Sequence, residues 1–483
     1  MSYRPGTKVI TQTTPPPRSS PTDTGVFFVV GLTEKGPLSA ELIRSLSEYT
    51  SKFGARVSYG MLYDAIELYF REGGNEAYLS RVVGPAASIG FKDIYDAAGS
   101  TGTDVSLTAT ALGPGAYSST ITVDIIAPLV AGFRVQITVS AVIVETSPDL
   151  ATQADAIAWA ANSSWIRFTL GVSPENPRVQ TGVLSAGSDD RASIVDSNWL
   201  AALDRFTADL GPGQVAAPGR VTDVGYVQLN AHAMNNNRVS LLDATDTSTT
   251  ATILADAVAA RSNGDFGSMW WPWVRIPGLT SGTYRIVPPS ALIAGLIARS
   301  DAQNSANVPA AGQNGESLYC VGLSVEGPNT PSAQVRDQLN TAGIDVIRTI
   351  FGGIRAYGWR SLVDSVANPA WKNFGNSRLR MAITAEAGDI LESFLFREID
   401  GRNYTINELK GALVGLLTDY YQQGSLFGET PDQAFYVDVG AQVNTPATLA
   451  NNELHAVISV RMSPFAEYIE LIIVKRAINE AVV

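Results

Sequence analysis

Reactive side chains are scarce in this chain. One cysteine, Cys320, stands among 483 residues, so no disulfide closes within the chain, which suits folding in a reducing compartment. Nothing near Cys320 marks an activated thiol, and a buried structural role is expected. Two histidines, His232 and His455, lie far apart in sequence. With a single cysteine they exclude a Cys/His zinc site. There is no Gly-x-Ser-x-Gly elbow and no Gly-x-x-x-x-Gly-Lys-Ser/Thr loop, which removes the usual hydrolase and nucleotide-hydrolysis signatures. No apolar run approaches the ~18 residues that span a bilayer. The first 25 residues hold five prolines and no apolar stretch, so no secretory signal is expected. Charged residues make up only 17%, too few for a disordered protein.

What is present is ample apolar material. Hydrophobic residues reach 45%, enough for about two to four packed domains. The formal net charge of −12 argues against a broad nucleic-acid face, which needs clustered Lys and Arg. The first 22 residues depart from this balance, with Arg4, Lys8 and Arg18 and no acid. They read either as a solvated tail or as a basic handle for an acidic neighbour, including another copy of the chain.

The two ends are the most informative segments. Residues 7–14 form a β-branched run, with Val9, Ile10, Thr11 and Thr13 favouring strand pairing. The stiff Pro15, Pro16 and Pro17 spacer follows and cuts the run off from the body. A strand so isolated cannot satisfy its own backbone. At the other end, two strand-like runs flank Pro464. In the first, Ala456, Ile458, Val460 and Met462 alternate on one face. In the second, Ile469, Leu471 and Ile473 do the same. A chain that starts and finishes with unpaired strands is built to pair with neighbours.

Between the ends the pattern is α/β. Residues 25–32 read as a strand apolar on both faces. A helix from Ser45 to Gly54 follows, with Glu48 completing a capping box. The next helix, about 60–72, carries Leu62, Ala65, Ile66 and Tyr69 on one stripe, and strand 77–83 closes the unit. Residues 100–183 then turn rich in Thr, Val, Ser and Gly, reading as an inserted, mostly β domain with one helix near 150–161. Alternation of helices and strands resumes with helix 196–209, strand 238–243 and helix 249–261. Trp270, Trp271 and Trp273 around Pro272 are expected in a packed strand or interface anchor. Pro288-Pro289-Ser290 opens a small-residue helix in which Gly295 permits close packing, and Ser332 opens another that ends at Gly343. Residues 344–350 are a strand. Asn407 is expected to cap the amphipathic helix of Leu409, Leu413, Leu416 and Leu417, which Gly424 stops. Residues 425–454 read as a Gly-, Pro- and Asn-punctuated linker, with 440–454 as the hinge of the second arm.

Three constellations carry possible chemistry. Gly211-Pro212-Gly213-Gln214-Val215-Ala216 fits a loose dinucleotide pattern. A helix precedes it, however, and Pro218-Gly219 blocks one after it, so a turn is expected. Asp243 and Asp246 end a strand, where α/β enzymes place metal-binding carboxylates. A helix cap by Asp246 is the competing reading. Lys372, Arg378 and Arg380, interleaved with Trp371 and Phe374, read as a protein–protein face rather than a single-strand nucleic-acid groove.

Several stretches, in order, resemble contractile-tail sheath proteins of phages and tailocin-like contractile injection systems. They are Ser45-Leu-Ser-Glu-Tyr-Thr-Ser-Lys-Phe-Gly54, Leu62–Gly74 with Tyr78-Leu-Ser-Arg-Val82, and Ala111-Leu-Gly-Pro-Gly-Ala-Tyr117 running on to Val123. The most specific is Val287-Pro-Pro-Ser-Ala-Leu-Ile-Ala-Gly-Leu-Ile-Ala-Arg-Ser-Asp301, with Val308-Pro-Ala-Ala311 behind it. Gly343-Ile-Asp-Val-Ile347, Gly358-Trp-Arg-Ser361, Val443-Asn-Thr445 and Pro464-Phe-Ala-Glu-Tyr-Ile469 complete the set. The likeness is weakest over 150–285, and Asp345 and Ser361 stand where the pattern has Asn and Thr. A single chain of this length is more similar to phage and tailocin sheaths than to type VI sheaths, which divide the work between two proteins.

The resemblance implies a multidomain α/β (α+β) fold, with a discontinuous sheath core, an inserted mostly-β domain and extended terminal strand arms. Its divisions are 1–24 (N-terminal arm), 25–85 and 188–340 (core), 86–187 (insertion, facing outward), 341–454 (C-terminal domain) and 455–483 (C-terminal strands). It implies a structural, non-enzymatic subunit without cofactor or metal. Such subunits stack as hexameric rings around an inner tail tube and contract to drive it through a host envelope. Partners would be other copies, the tube, baseplate and terminator proteins, with no direct nucleic acid or membrane. The place would be a virion tail assembled in the host cytoplasm. Arg397, Arg402 and Lys410 would be candidates to face an acidic tube. The rival from another class is an α/β enzyme holding a divalent metal on Asp243 and Asp246. A different structural tail or capsid protein is the third reading.

Overall fold

A computed structural model describes residues 23–96, 104–325, 332–364, 366–467 and 470. The expected first arm, the Pro15–Pro17 spacer and Ile469, Leu471 and Ile473 lie outside the described residues. The chain divides into two compact units, one over 23–382 and one from 383 onward.

The first unit opens with β1 (Phe27–Gly31), buried throughout, then the short β2 (Glu41–Ile43). Helix α1 (Leu46–Phe53) is capped by Ser45, whose side chain accepts from the Glu48 amide, and Gly54 ends it at φ 88°. Glu48 itself accepts from the Arg44 amide rather than that of Ser45, so the expected capping box closes one residue early. Helix α2 (Leu62–Arg71) and β3 (Ala77–Arg81) complete the strand–helix–helix–strand unit.

The chain then leaves this layer. Strands β4 (Phe91–Tyr95), β5 (Val105–Ala111), β6 (Ile121–Ile126), β7 (Arg134–Val139) and β8 (Val142–Thr146) precede α3 (Gln153–Ala160), β9 (Ile166–Leu170) and β10 (Gln180–Val183). They form two antiparallel sheets, ordered β10-β6-β7-β8 and β4-β5-β9. Their inward residues, including Leu107, Ile121, Val123, Val135 and Phe168, make a core separate from that of the central sheet. The insertion is anchored by buried cations. Arg81 donates to the carbonyls of Gly36 and Pro114, and Lys35 places Nζ 3.2 Å from the centre of the Trp165 ring.

The chain returns through α4 (Asp196–Leu203), β11 (Gln214–Ala216), α5 (Asp223–Asn235), β12 (Val239–Asp243), α6 (Thr250–Ala259) and β13 (Gly267–Trp271). Next come β14 (Val274–Pro277), β15 (Tyr284–Val287), α7 (Pro289–Asp301), β16 (Gly322–Leu323), α8 (Ala333–Thr341), β17 (Ile344–Ile350), β18 (Gly353–Ala356) and α9 (Phe374–Glu392). The central sheet has the order β18-β17-β13-β12-β11-β1-β3-β2. Six inner strands run parallel and the two edge strands antiparallel, as crossover helices on both faces require. Phe28 and Val30 point to the layer of Phe206, Tyr226 and Leu229. Phe27 meets Tyr69 on the opposite face at 5.0 Å. The expected boundary at 340/341 cuts the last residue from α8, a helix that packs on β17.

Two expectations are corrected in this unit. Gln214–Ala216 is not part of a turn: it is a fully buried central strand between β1 and β12. Gly213 at φ 153° lets the chain enter beside the Val26 carbonyl, where a Cβ would sit 2.3 Å away. Helix 196–209 stops at Leu203. The tryptophans pack as expected: Trp270 and Trp271 lie in β13, and all three are buried. Gly295 lies under Glu72, where a Cβ would come 2.6 Å from the Glu72 Cβ, so α7 and α2 meet with no side chain between them.

The second unit holds α10 (Tyr404–Gln422), α11 (Pro431–Ala434), β19 (Phe435–Asp438), α12 (Pro446–Ala450) and β20 (Val457–Val460). Asn403, in left-handed conformation at φ 59°, is the N-cap of α10. Asn407 therefore lies inside the helix, one turn past its start. Leu409, Leu413, Leu416 and Leu417 form the buried stripe, and Gly424 at φ 78° follows its end. The supposed linker 425–454 holds three short elements, α11, β19 and α12. Among the described residues no helix is long and apolar enough to cross a membrane.

Candidate assembly site

The second unit carries a sheet of only two strands. β19 and β20 pair antiparallel, with Phe435 opposite Val460, Tyr436 opposite Ser459, Val437 opposite Ile458 and Asp438 opposite Val457. Phe435, Val437, Ile458 and Val460 share the inward face. Tyr436 and Val457 share the outward one, exposed at 60% and 48%. Among the described residues each strand has a strand partner on one side only. An open edge presents unpaired amides and carbonyls and is a template for a further strand.

The hairpin is held by Asn444, which is buried. Its Nδ2 donates to the carbonyls of Val439 (3.0 Å) and His455 (2.8 Å), and its Oδ1 accepts from the His455 amide at 2.7 Å. One side chain thus ties the exit of β19 to the entrance of β20. Thr445 then caps α12 by accepting from the Thr448 amide. Beyond β20 the Phe427 amide donates to the Arg461 carbonyl, and the Arg461 amide to that of Ala434. A cleft of about 650 Å³ opens here, lined by Tyr421, Phe427, Glu429, Gln433 and Arg461 among others.

Ala456, Ile458, Val460 and Met462 alternate as expected, half-buried against exposed neighbours. Residues 457–460 pair with β19 of their own chain. Arg397 forms an ion pair with Glu408 at 3.0 Å and lies over Phe394. Arg402 is almost fully exposed and pairs with Asp400. Lys410 is exposed on α10. Phe396, fully exposed in a left-handed conformation at φ 62°, was not signalled by the sequence pattern, because its backbone geometry is set by the turn between α9 and α10.

Elsewhere the candidate residues are structural. Asp243 is buried at the end of β12, where its carboxylate accepts from the amides of Gly219 and Ser290 and from the Ser290 hydroxyl. Burial raises its pKa to about 6. Asp246 accepts from the Ser324 hydroxyl at 2.6 Å and caps nothing: Thr249 is the N-cap of α6. Among the described residues no third acid, His or Cys joins either aspartate in a group able to hold a metal. His232 receives the Arg238 guanidinium at Nε2, 3.0 Å away, and burial with that charge lowers its pKa to about 4. His455 pairs with Glu453. Burial pushes the Cys320 thiol up, away from reactivity.

The basic cluster around Arg378 is corrected. Arg378 is fully buried, joined to Asp301 and the Ala306 carbonyl. Arg380 is sandwiched by Phe266 and Trp371 and paired with Asp265. Phe374 is buried, Trp371 and Arg380 are half-buried, and Lys372 is exposed. The cluster is an internal brace of α9, because interleaved aromatics cover its guanidinium groups instead of displaying them.

No family model and no curated protein sequence matches the chain. Solved structures do. The helical sheath of the anti-feeding prophage in its contracted state superposes with a TM-score of 0.59 at 17% identity, covering 99% of this chain and 100% of that one. The sheath complex of an extracellular contractile injection system, PVC, in the contracted state gives 0.57 at 15%, covering 99% and 98%. A sheath tail protein from Listeria innocua gives 0.59 at 11%, covering 92% and 96%.

Proposed function

We propose that this chain, whose fold is that of contractile-system sheath proteins, is a structural sheath subunit that polymerises as helical rings around an inner tube. The observation that carries this reading is the superposition of nearly the whole chain on sheath proteins of injection systems and tails. The match spans the insertion and the second unit as well as the α/β core.

In this reading the β19–β20 sheet receives strands from other copies. The donors are the first arm, through Val9, Ile10, Thr11 and Thr13, and the last segment, through Ile469, Leu471 and Ile473. Pro15–Pro17 is the hinge of the first arm. Added strands bring many main-chain hydrogen bonds without fixing the orientation of the bodies. The bodies then rotate and repack while the mesh stays connected. Contraction releases a conformational bias on the order of a few kcal/mol per subunit, summed over the array, and needs no nucleotide. The tube lies against the second unit, with Arg397, Arg402 and Lys410 as contacts, and the insertion over 86–187 faces outward.

Negative-stain microscopy of the purified chain tests the reading. Hollow tubes with a helical lattice are expected. A chain that stays monomeric at every concentration, or forms closed shells, contradicts it and favours another structural protein.

A further inference from the structure

We propose that the acidic flank of the β19–β20 sheet is an electrostatic receptor for the basic first arm, residues 1–22, of a second copy of this chain. This rests on the strand-exchange reading above and adds the means by which the first arm is recruited.

Strand addition alone is nearly blind to sequence, because its bonds are main-chain bonds. Two ends of the chain are donors to the same two-edged sheet. Their charges differ. Residues 1–22 carry Arg4, Lys8 and Arg18 and no acid. Residues 468–483 carry Glu470 and Glu480 against Lys475 and Arg476, and so are balanced.

The receiving segment is strongly acidic. Residues 425–467 hold five acids, Glu429, Asp432, Asp438, Glu453 and Glu467, and one arginine or lysine, Arg461. Asp438 is the last residue of β19 and shares the outward face with exposed Tyr436 and Val457. Glu429 and Asp432 immediately precede β19. Glu429, Asp432 and Asp438 form no ion pair among the described residues. Their charge is therefore not neutralised by an ion pair among the described residues.

The cleft at the end of β20 provides a seat of matching chemistry. Its lining includes Glu429, Tyr421 and Phe427, together with Arg461, the one arginine or lysine of the segment. An acid and two aromatic residues together can take a guanidinium or ammonium with an aliphatic stem, and Arg461 would have to turn away to admit it. The neutral last segment offers no net attraction to this flank. The first arm is drawn to it at any separation within the screening length of about 10 Å at moderate salt.

The test uses the full chain and reads the critical concentration for tube formation by light scattering, with microscopy to identify the product. Salt is stepped from about 50 mM to about 500 mM, which shortens the screening length severalfold. The arm is neutralised as R4Q/K8Q/R18Q, changes that leave every described residue untouched. The proposal expects the neutralised arm to raise the critical concentration about tenfold at low salt and to flatten its salt dependence. It also expects K8E/R18E to lose assembly and to regain it when combined with E429K/D438K. If neutralisation leaves both the critical concentration and the salt slope unchanged, while deletion of 1–20 abolishes tubes, strand exchange stands and the charge rule is overturned. Normal tubes from the deletion overturn both.

Discussion

His232 and Asp243 titrate in opposite senses, and both are buried in the first unit. The folded pKa of His232 is depressed from 6.5 to about 4. Its contribution is complete above pH 6.5 and is lost as pH falls toward 4. The folded pKa of Asp243 is raised from 3.8 to about 6. Its contribution is complete below pH 3.8 and is lost as pH rises through 6. Each is worth about 3 kcal/mol, so between pH 4 and 6 they largely cancel. Thermal melts across this window should be nearly flat for the native chain. In Asp243→Asn the melting temperature should fall as the solution is acidified, and in His232→Gln it should rise. Parallel profiles for the two variants would refute the assignment. Gly295 is a second residue-scale test. Gly295→Ala drives a methyl against Glu72 and should cost about 1–3 kcal/mol in denaturant unfolding, although alanine is the better helix former.

At the scale of elements, Asn444 holds the β19–β20 hairpin by three hydrogen bonds. Asn444→Ala leaves the amide of His455 and two carbonyls without this partner, a local loss of about 1–3 kcal/mol. Hydrogen exchange at residues 455–460 should accelerate while exchange in β1 and β13 is unchanged. Divalent metal should leave the melting temperature unchanged, because Asp243 is committed to the start of α7. A clear rise with magnesium or manganese would revive the enzyme reading.

Elements with a strong apolar pattern and Gly or Pro punctuation were legible in the sequence: β1, α2, β13, α7 and β17. Those that failed had other causes. β11 is three residues long, enclosed by glycine and proline, and only its place in the sheet makes it a strand. α5 buries Gly225, Asn230 and His232 alongside Tyr226 and Leu229, which erases the stripe a helix would show. At the candidate site the alternation of Ala456, Ile458, Val460 and Met462 was plain. Its partner Phe435–Asp438 was not, since the turn residues around it masked a short strand. The Arg378 cluster misled because burial by Trp371 and Phe266 is a tertiary fact.

At the scale of the whole molecule, the fold of sheath proteins and the open two-stranded sheet underlie the central proposal, that the chain works as a polymer joined by its arms. The most direct test compares the full chain with a deletion of residues 1–20 by negative-stain microscopy and sedimentation at equal concentration. The account predicts hollow helical tubes from the full chain and a folded monomer, with an unchanged thermal melt, from the deletion. Normal tubes from the deletion would contradict it.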